Sequence, residues 1–305
     1  MKSETWIAPS IPTDIPHGDM PGDKVDIREE HIQKAQLLIP HLLKPLQEMM
    51  KANMHGRAVV TVCGGSGVGK SEIASLLAFY LGDLGISCYT LSGDNYPRRV
   101  PVQNDAERLR IFRTAGLKGL VCSGCYTPEM RGQLHAFWET GSDADPGLAV
   151  TYPWMEIYQR DGRSGLAGYL GSDCEIDFLE VSDLLSAFKL GAPELYLKRM
   201  GRAETDLWYE KTDMHGISVL IVEWTHGNSD HFRGVDLPIL LNSTPEETLA
   251  HRRARGRDKG TDSPFTTMVL ELEQKMLGTQ ACKARFILSK AGELMEYSEY
   301  RRSVL

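Results

Sequence analysis

"CGGSGVGKSEIASLL", residues 63 to 77, follows the apolar run "RAVVTV" and opens a helical pattern. Gly64 and Gly69, followed by Lys70 and Ser71, satisfy the spacing G-x-x-x-x-G-K-[ST] between a strand and a helix, the context that spacing needs. Glycines let the backbone curl so that its N–H groups face inward, and the helix N-terminus adds partial positive charge. Lys70 is placed to neutralise the outer phosphates of a nucleotide, and the Ser71 hydroxyl to ligate Mg²⁺. Gly64, Gly65, Ser66, Gly67, Val68, Gly69, Lys70 and Ser71 are thus the predicted phosphate cradle, with ATP and Mg²⁺ as the expected cofactors. A fortuitous glycine-rich turn is the bland alternative, disfavoured by eight fitting positions in the right context.

Outward from this loop the chain alternates strands and helices. "SEIASLLAFYLGDLG" is a helix with Ile73, Leu76, Leu77 and Tyr80 on its apolar stripe, and "ISCYTLSGD" is a second strand. Later come the helix "EVSDLLSAFKLG", the strands "GISVLIVEW" and "LPILLNS", the helix "TPEETLAHRRARGR", a helix from Pro264 and the strand "ARFILS". The expected fold is α/β, a three-layer P-loop NTPase with a mostly parallel sheet and an inserted helical segment. Residues 57–305 would form that domain, with an insertion at about 105–172 of glycine-rich and aromatic character. Residues 1–56 divide into an irregular arm with four prolines up to Lys24, to which no chemistry is assigned, and a helical preface broken near Pro40 and Pro45.

Composition bounds the function. The chain has 305 residues, is 42% hydrophobic and carries a net charge of −7, so it can bury a full core but offers no basic excess for nucleic acid or an anionic membrane. Six cysteines at 63, 88, 122, 125, 174 and 282 are scattered behind no leader-like apolar region, and no stretch reaches the roughly 18 apolar residues of a membrane helix. These features point to a cytoplasmic protein working on a small molecule, with a second copy of itself as the expected macromolecular partner. The single C-x-x-C at Cys122 and Cys125 lacks a second pair at zinc spacing and reads as free thiols.

GTPases, motor ATPases and small-molecule kinases share the loop. No [NT]-K-x-D motif for guanine stands in the distal part, where "LSKAGE" is the nearest imitation. On the acceptor side, "LSGDNYPRR" puts Asp94 at the carboxyl end of the second strand, where a carboxylate can take a hydroxyl proton or simply form a turn with Asn95. Arg98 and Arg99 follow at once, and Arg108, Arg110 and Arg113 lie in a segment of helical pattern, so guanidinium groups could clamp an anionic acceptor, a phosphosugar or a carboxylate; pairing with Asp105 and Glu107 on a solvated helix is the alternative.

This order of motifs resembles the phosphoribulokinase, uridine kinase and type I pantothenate kinase group over residues 57–104 and 173–290. The resemblance implies an enzyme that transfers the γ-phosphoryl of ATP to a metabolite hydroxyl, with Asp94 as base or orienter and Tyr96 as its aromatic neighbour. It also implies substrate contacts at Asp177 and Tyr196 within "EIDFLEVSDLLSAFKLGAPELY", and a place near Mg²⁺ for Glu223 at the end of "VLIVE". "HRRARGRDKG" is similar to an arginine-rich lid that closes over the transferring phosphate, which puts Arg253, Arg257 and Asp258 forward as candidates. "GDN" is also similar to adenylylsulfate kinases, so an adenylylsulfate-type or nucleoside kinase stays open, as does a non-catalytic nucleotide-dependent regulator.

Overall fold

The computed structural model describes residues 6–12, 15–22, 24–255 and 263–304. In chain order its helices and strands are α1 (Glu29–Ala52), β1 (Ala58–Gly64), α2 (Lys70–Asp83), β2 (Cys88–Ser92), α3 (Pro101–Cys122), α4 (Pro128–Thr140), α5 (Leu148–Thr151), α6 (Trp154–Ala167) and α7 (Phe178–Lys189). They continue with β3 (Glu194–Met200), β4 (Leu207–Asp213), β5 (Val219–Glu223), β6 (Leu237–Leu241), α8 (Pro245–Arg255), α9 (Pro264–Gln280), β7 (Phe286–Leu288), β8 (Leu294–Met295) and α10 (Tyr297–Val304). Six strands form one sheet in the order β2-β5-β1-β6-β7-β8, parallel except for β8.

Every residue of β1 is buried, as a central parallel strand covered on both faces requires. Val60 and Val62 face the layer of α1 and α2, packing with Leu38, Leu42, Ile73 and Leu77. Val59 points the other way, into a core with Phe178, Leu185, Leu197 and Trp224. The expected three-layer α/β architecture is therefore the one observed.

Two local expectations are corrected. The preface is one unbroken helix, α1, with Pro40 and Pro45 inside it. Each proline costs about 3 kcal/mol in a helix interior. Leu38, Ile39, Leu42 and Leu46, all at 0% exposure, return roughly 1.5–3 kcal/mol apiece, so tertiary burial overrides the breakers. The second correction is the antiparallel ribbon β3–β4, which the sequence reading did not separate from its surroundings.

The segment from Pro101 to Ala167 is helical, with a core of its own around Phe112, Leu134, Met155, Tyr158 and Leu166 that α9 completes through Met268 and Val269. Gly116, Gly119, Gly162 and Gly165 serve close packing of α3 on α6. A Cβ on Gly116 would lie 2.6 Å from the Tyr158 ring, and one on Gly162 would lie 2.6 Å from the Phe112 ring.

Candidate active site

The register of the sheet sets three strand ends side by side. Ser92 of β2 pairs with Glu223 of β5, and Glu223 pairs with Val62 of β1. The Gly64–Ser71 loop leaves β1, Asp94 lies two residues beyond Ser92, and both therefore open onto the same carboxyl edge, where α/β sheets place their ligands.

Steric limits explain the glycines of the loop. A Cβ on Gly64 would lie 2.6 Å from the Leu241 carbonyl oxygen, so the loop can pass β6 only without a side chain. Gly67 has φ 77° and would place a Cβ 2.8 Å from Arg252 Cγ. Val68 is the apolar anchor, 4% exposed and packed into the α1–α2 core. Helix α2 begins at Lys70, behind Gly69 in the left-handed conformation, and His31 of α1 closes against Gly69 from outside. Lys70 Nζ donates to the Gly65 carbonyl oxygen at 3.1 Å and spans the loop that also carries Ser66.

Ser71 Oγ donates to Glu223 Oε2 at 3.1 Å, and Ser92 Oγ donates to Glu223 Oε1 at 2.6 Å. Glu223 is 4% exposed, and burial together with the nearby charge of Asp94 pushes its carboxyl up to about 7 against the pull of Ser92, Lys70 and Ser71. A buried carboxylate and a hydroxyl at the end of a phosphate-binding loop form a hard-oxygen donor set, which fits Mg²⁺ better than a softer metal.

Asp94 sits in the turn Gly93–Asn95, exposed between two buried neighbours. The turn lies flat on Trp224, because a Cβ on Gly93 would fall 2.0 Å from the indole. Beyond it an ionic cluster borders the site. Arg108 Nε donates to Glu175 Oε1 at 2.6 Å and Arg108 Nη2 to Glu273 Oε1 at 3.3 Å. Burial raises the Glu273 carboxyl, which also feels Arg108, Glu175, Lys70 and Asp94. Arg108, expected to help clamp an anionic acceptor or to pair with Asp105 and Glu107, instead meets two glutamates that the sequence did not connect to it, because they lie in the loop before α7 and on α9.

Several expected contacts fall elsewhere. Tyr96 is wholly buried, in the core with Leu91, Phe178 and Trp224, and its phenol is pushed up by burial; its ring packs beneath the turn that carries Asp94. Arg98 Nη1 donates to Asp177 Oδ2 at 2.8 Å and Arg98 Nε to the Asp173 carbonyl oxygen at 2.6 Å. Arg99 Nη1 donates to the Tyr169 hydroxyl at 2.9 Å and to the Cys174 carbonyl oxygen. Arg99 Nη2 also lies 3.9 Å from Glu107 Oε1, so each of the two guanidinium groups has a carboxylate of the chain beside it, Asp177 for Arg98 and Glu107 for Arg99. Asp177 caps α7, accepting from the Glu180 N–H at 3.2 Å. Tyr196 is exposed on β3 with its hydroxyl on Glu194 Oε1. On α8 Arg252 packs on the phosphate loop: its stem meets Gly67 and its Nη2 donates to the Pro245 carbonyl oxygen at 2.8 Å. Arg253 is exposed, and Arg257 and Asp258 lie outside the described residues.

No protein-family model matches the chain. The chain is 37% identical over 255 residues to a bifunctional alpha-galactosidase/sucrose kinase of Mediterraneibacter gnavus, a match covering 84% of this chain. It spans only about a fifth of that relative's length, 22%. Among solved structures, it is similar to a D-glycerate 3-kinase from Cryptococcus neoformans at 11% identity and TM-score 0.46, covering 86% of this chain and 97% of that one. It is also similar to a possible uridine kinase from Bacillus stearothermophilus at 12% identity and TM-score 0.40, covering 81% and 98%. With the phosphate loop leaving the centre of a parallel sheet and entering α2, the chain has the P-loop nucleoside-triphosphatase fold.

Proposed function

We propose that the chain transfers the γ-phosphoryl group of ATP to a hydroxyl of a neutral sugar, with sucrose as the first candidate acceptor. The observation that carries this reading is the alignment of Lys70, Ser71, Glu223 and Asp94 at adjacent strand ends, a phosphate cradle facing an exposed carboxylate. The relative's sucrose kinase name supplies the acceptor class. The carboxylates beside Arg98 and Arg99, Asp177 and Glu107, weigh against the phosphosugar or carboxylate that the sequence alone suggested.

In this mechanism the backbone of Gly64–Gly69 and the Lys70 ammonium hold the β- and γ-phosphates and spread the charge of a loose transition state. Mg²⁺, held by Ser71 and Glu223, would supply further neutralisation of the phosphate oxygens. Asp94 accepts the acceptor's hydroxyl proton as the new O–P bond forms and the bond from the γ-phosphorus to the bridging oxygen breaks, leaving ADP. The Arg108–Glu175–Glu273 cluster and helices α3–α6, which make up most of the 105–172 insertion, wall the acceptor side. Arg253 and Arg257 remain candidates for the cation that closes over the γ-phosphate. Cysteines that are all free thiols suit a reducing, cytoplasmic setting.

The test is incubation of the purified chain with ATP and Mg²⁺ against sucrose, a hexose phosphate, glycerate, uridine and adenylylsulfate, reading ADP release and phosphorylated product by mass spectrometry. Sucrose-stimulated ADP release with a matching phosphosugar is expected. Turnover of only the anionic acceptors would restore the arginine clamp, and nucleotide binding without any turnover would make the chain a regulator.

A further inference from the structure

The arm before α1, to which the sequence assigned no chemistry, carries an anchor, Asp19, behind the turn that presents Asp94. Asp19 is 9% exposed at its side chain, and four groups donate to its carboxylate. The Ser92 N–H does so at 2.7 Å, Asn95 Nδ2 at 3.2 Å, the Tyr89 hydroxyl at 3.0 Å and Arg199 Nη1 at 2.8 Å. Arg199 in turn donates through Nη2 to the Tyr89 hydroxyl at 3.0 Å and through Nε to Glu210 Oε2 at 3.0 Å. A carboxylate taken this far from water is tolerated only when its lone pairs are filled, and here they are filled by charged and neutral donors alike.

Two of the four donors flank Asp94. Ser92 stands two residues before it and Asn95 one after, so a single Asp19 carboxylate grips both sides of the turn that presents it. The remaining atoms of that turn are fixed from other directions. Asn95 Oδ1 accepts from the Met200 N–H at 3.0 Å, and Gly93 is pressed onto Trp224. Ser92 also sends its hydroxyl to Glu223, which Ser71 shares, so a continuous run of hydrogen bonds joins the arm to the phosphate loop. Gly18, next to the anchor, lies against the Glu223 carboxylate, where an added Cβ would sit 3.5 Å from Oε1.

We infer that Asp19 is a positioning residue: through Ser92 and Asn95 the N-terminal arm holds the Gly93–Asn95 turn in the orientation that presents Asp94. Asp94 is exposed while Ser92, Gly93 and Asn95 around it are buried, and it is on two of these buried flanks that the Asp19 carboxylate acts. The consequence for phosphoryl transfer rests on the function proposed above; the consequence for the order of the turn does not.

The experiment compares the full chain with Asp19→Asn and with the double variant Asp19→Leu/Arg199→Met. The double variant removes both charges, so no buried guanidinium is left unpaired if Asp19→Asn alone folds poorly. Two readouts are taken. Amide hydrogen exchange over residues 92–96 should speed up in the variants while α2 and β1 keep their protection. Sucrose-dependent kcat should fall roughly 10- to 100-fold, the scale for a misplaced reacting group, with the ATP KM within about twofold of the parent. A folded double variant with unchanged exchange at 92–96 overturns the inference whether or not the parent is a kinase. Faster exchange with parental kcat overturns the positioning role. If the parent phosphorylates nothing, the function proposal falls, and the exchange result alone decides whether Asp19 orders the turn.

Discussion

Ser71 and Glu223 are far apart in the chain, yet the Ser71 hydroxyl donates to Glu223 Oε2 at 3.1 Å inside the sheet's carboxyl edge. The pair joins the phosphate loop to the neighbouring strand and gathers the oxygens suited to Mg²⁺. Glu223→Gln keeps the shape but removes the charge. We expect the Mg²⁺ concentration for half-maximal turnover to rise roughly 10- to 100-fold, the range seen when a metal site loses a supporting group. Titrating Mg²⁺ at fixed ATP checks this, and an unchanged requirement would remove Glu223 from the metal's surroundings.

Asp94 is exposed at the tip of its turn, so replacing it leaves the core untouched. Asp94→Asn is expected to lower kcat by about 10²-fold or more, the scale of a lost general base, with ATP binding nearly unaltered. Equal losses in ATP affinity and turnover would instead make Asp94 a nucleotide or metal residue.

Arg98 and Arg99 are engaged by Asp177, the Asp173 and Cys174 carbonyls and Tyr169. For a neutral acceptor, Arg98→Gln and Arg99→Gln should each leave the acceptor KM within about twofold. The Arg98–Asp177 pair is 42% exposed on the arginine side, so its loss should cost within about 1 kcal/mol in a denaturant melt. An acceptor KM that rises tenfold or more would show that these guanidinium groups leave their protein partners to hold a ligand.

His226 is 5% exposed, and burial pulls its imidazole down to about 4. Below its ordinary value near 6.5 the unfolded chain takes up a proton that the folded chain refuses until about pH 4. Its contribution is therefore constant above pH 6.5 and turns against the fold as pH drops through that window, by on the order of 3 kcal/mol at full extent. His226→Gln should flatten the fall of the unfolding free energy between about pH 6.5 and 4, measured by denaturant titration. An identical slope in parent and variant would mean His226 titrates normally.

Local rules were enough for what is local. The glycine spacing, the lysine and serine after it and the apolar run before it fix a phosphate-binding strand–loop–helix, because each of those demands is met within about a dozen residues. The alternation of apolar strands and amphipathic helices likewise made the parallel three-layer sheet legible, since burial on both faces leaves a continuous apolar run in the sequence. Asp94 and Glu223 were legible as strand-end acids for the same reason. Only the tertiary structure could decide what neighbours across the chain do to a side chain. It buried Tyr96, gave Arg98 and Arg99 partners around residues 169–177, and turned Arg252 toward Gly67. It also kept α1 whole through two prolines and carried Asp19 from a featureless arm to the back of the Asp94 turn. Each of these turns on desolvation and on partners distant in sequence, and neither periodicity nor motif spacing encodes them.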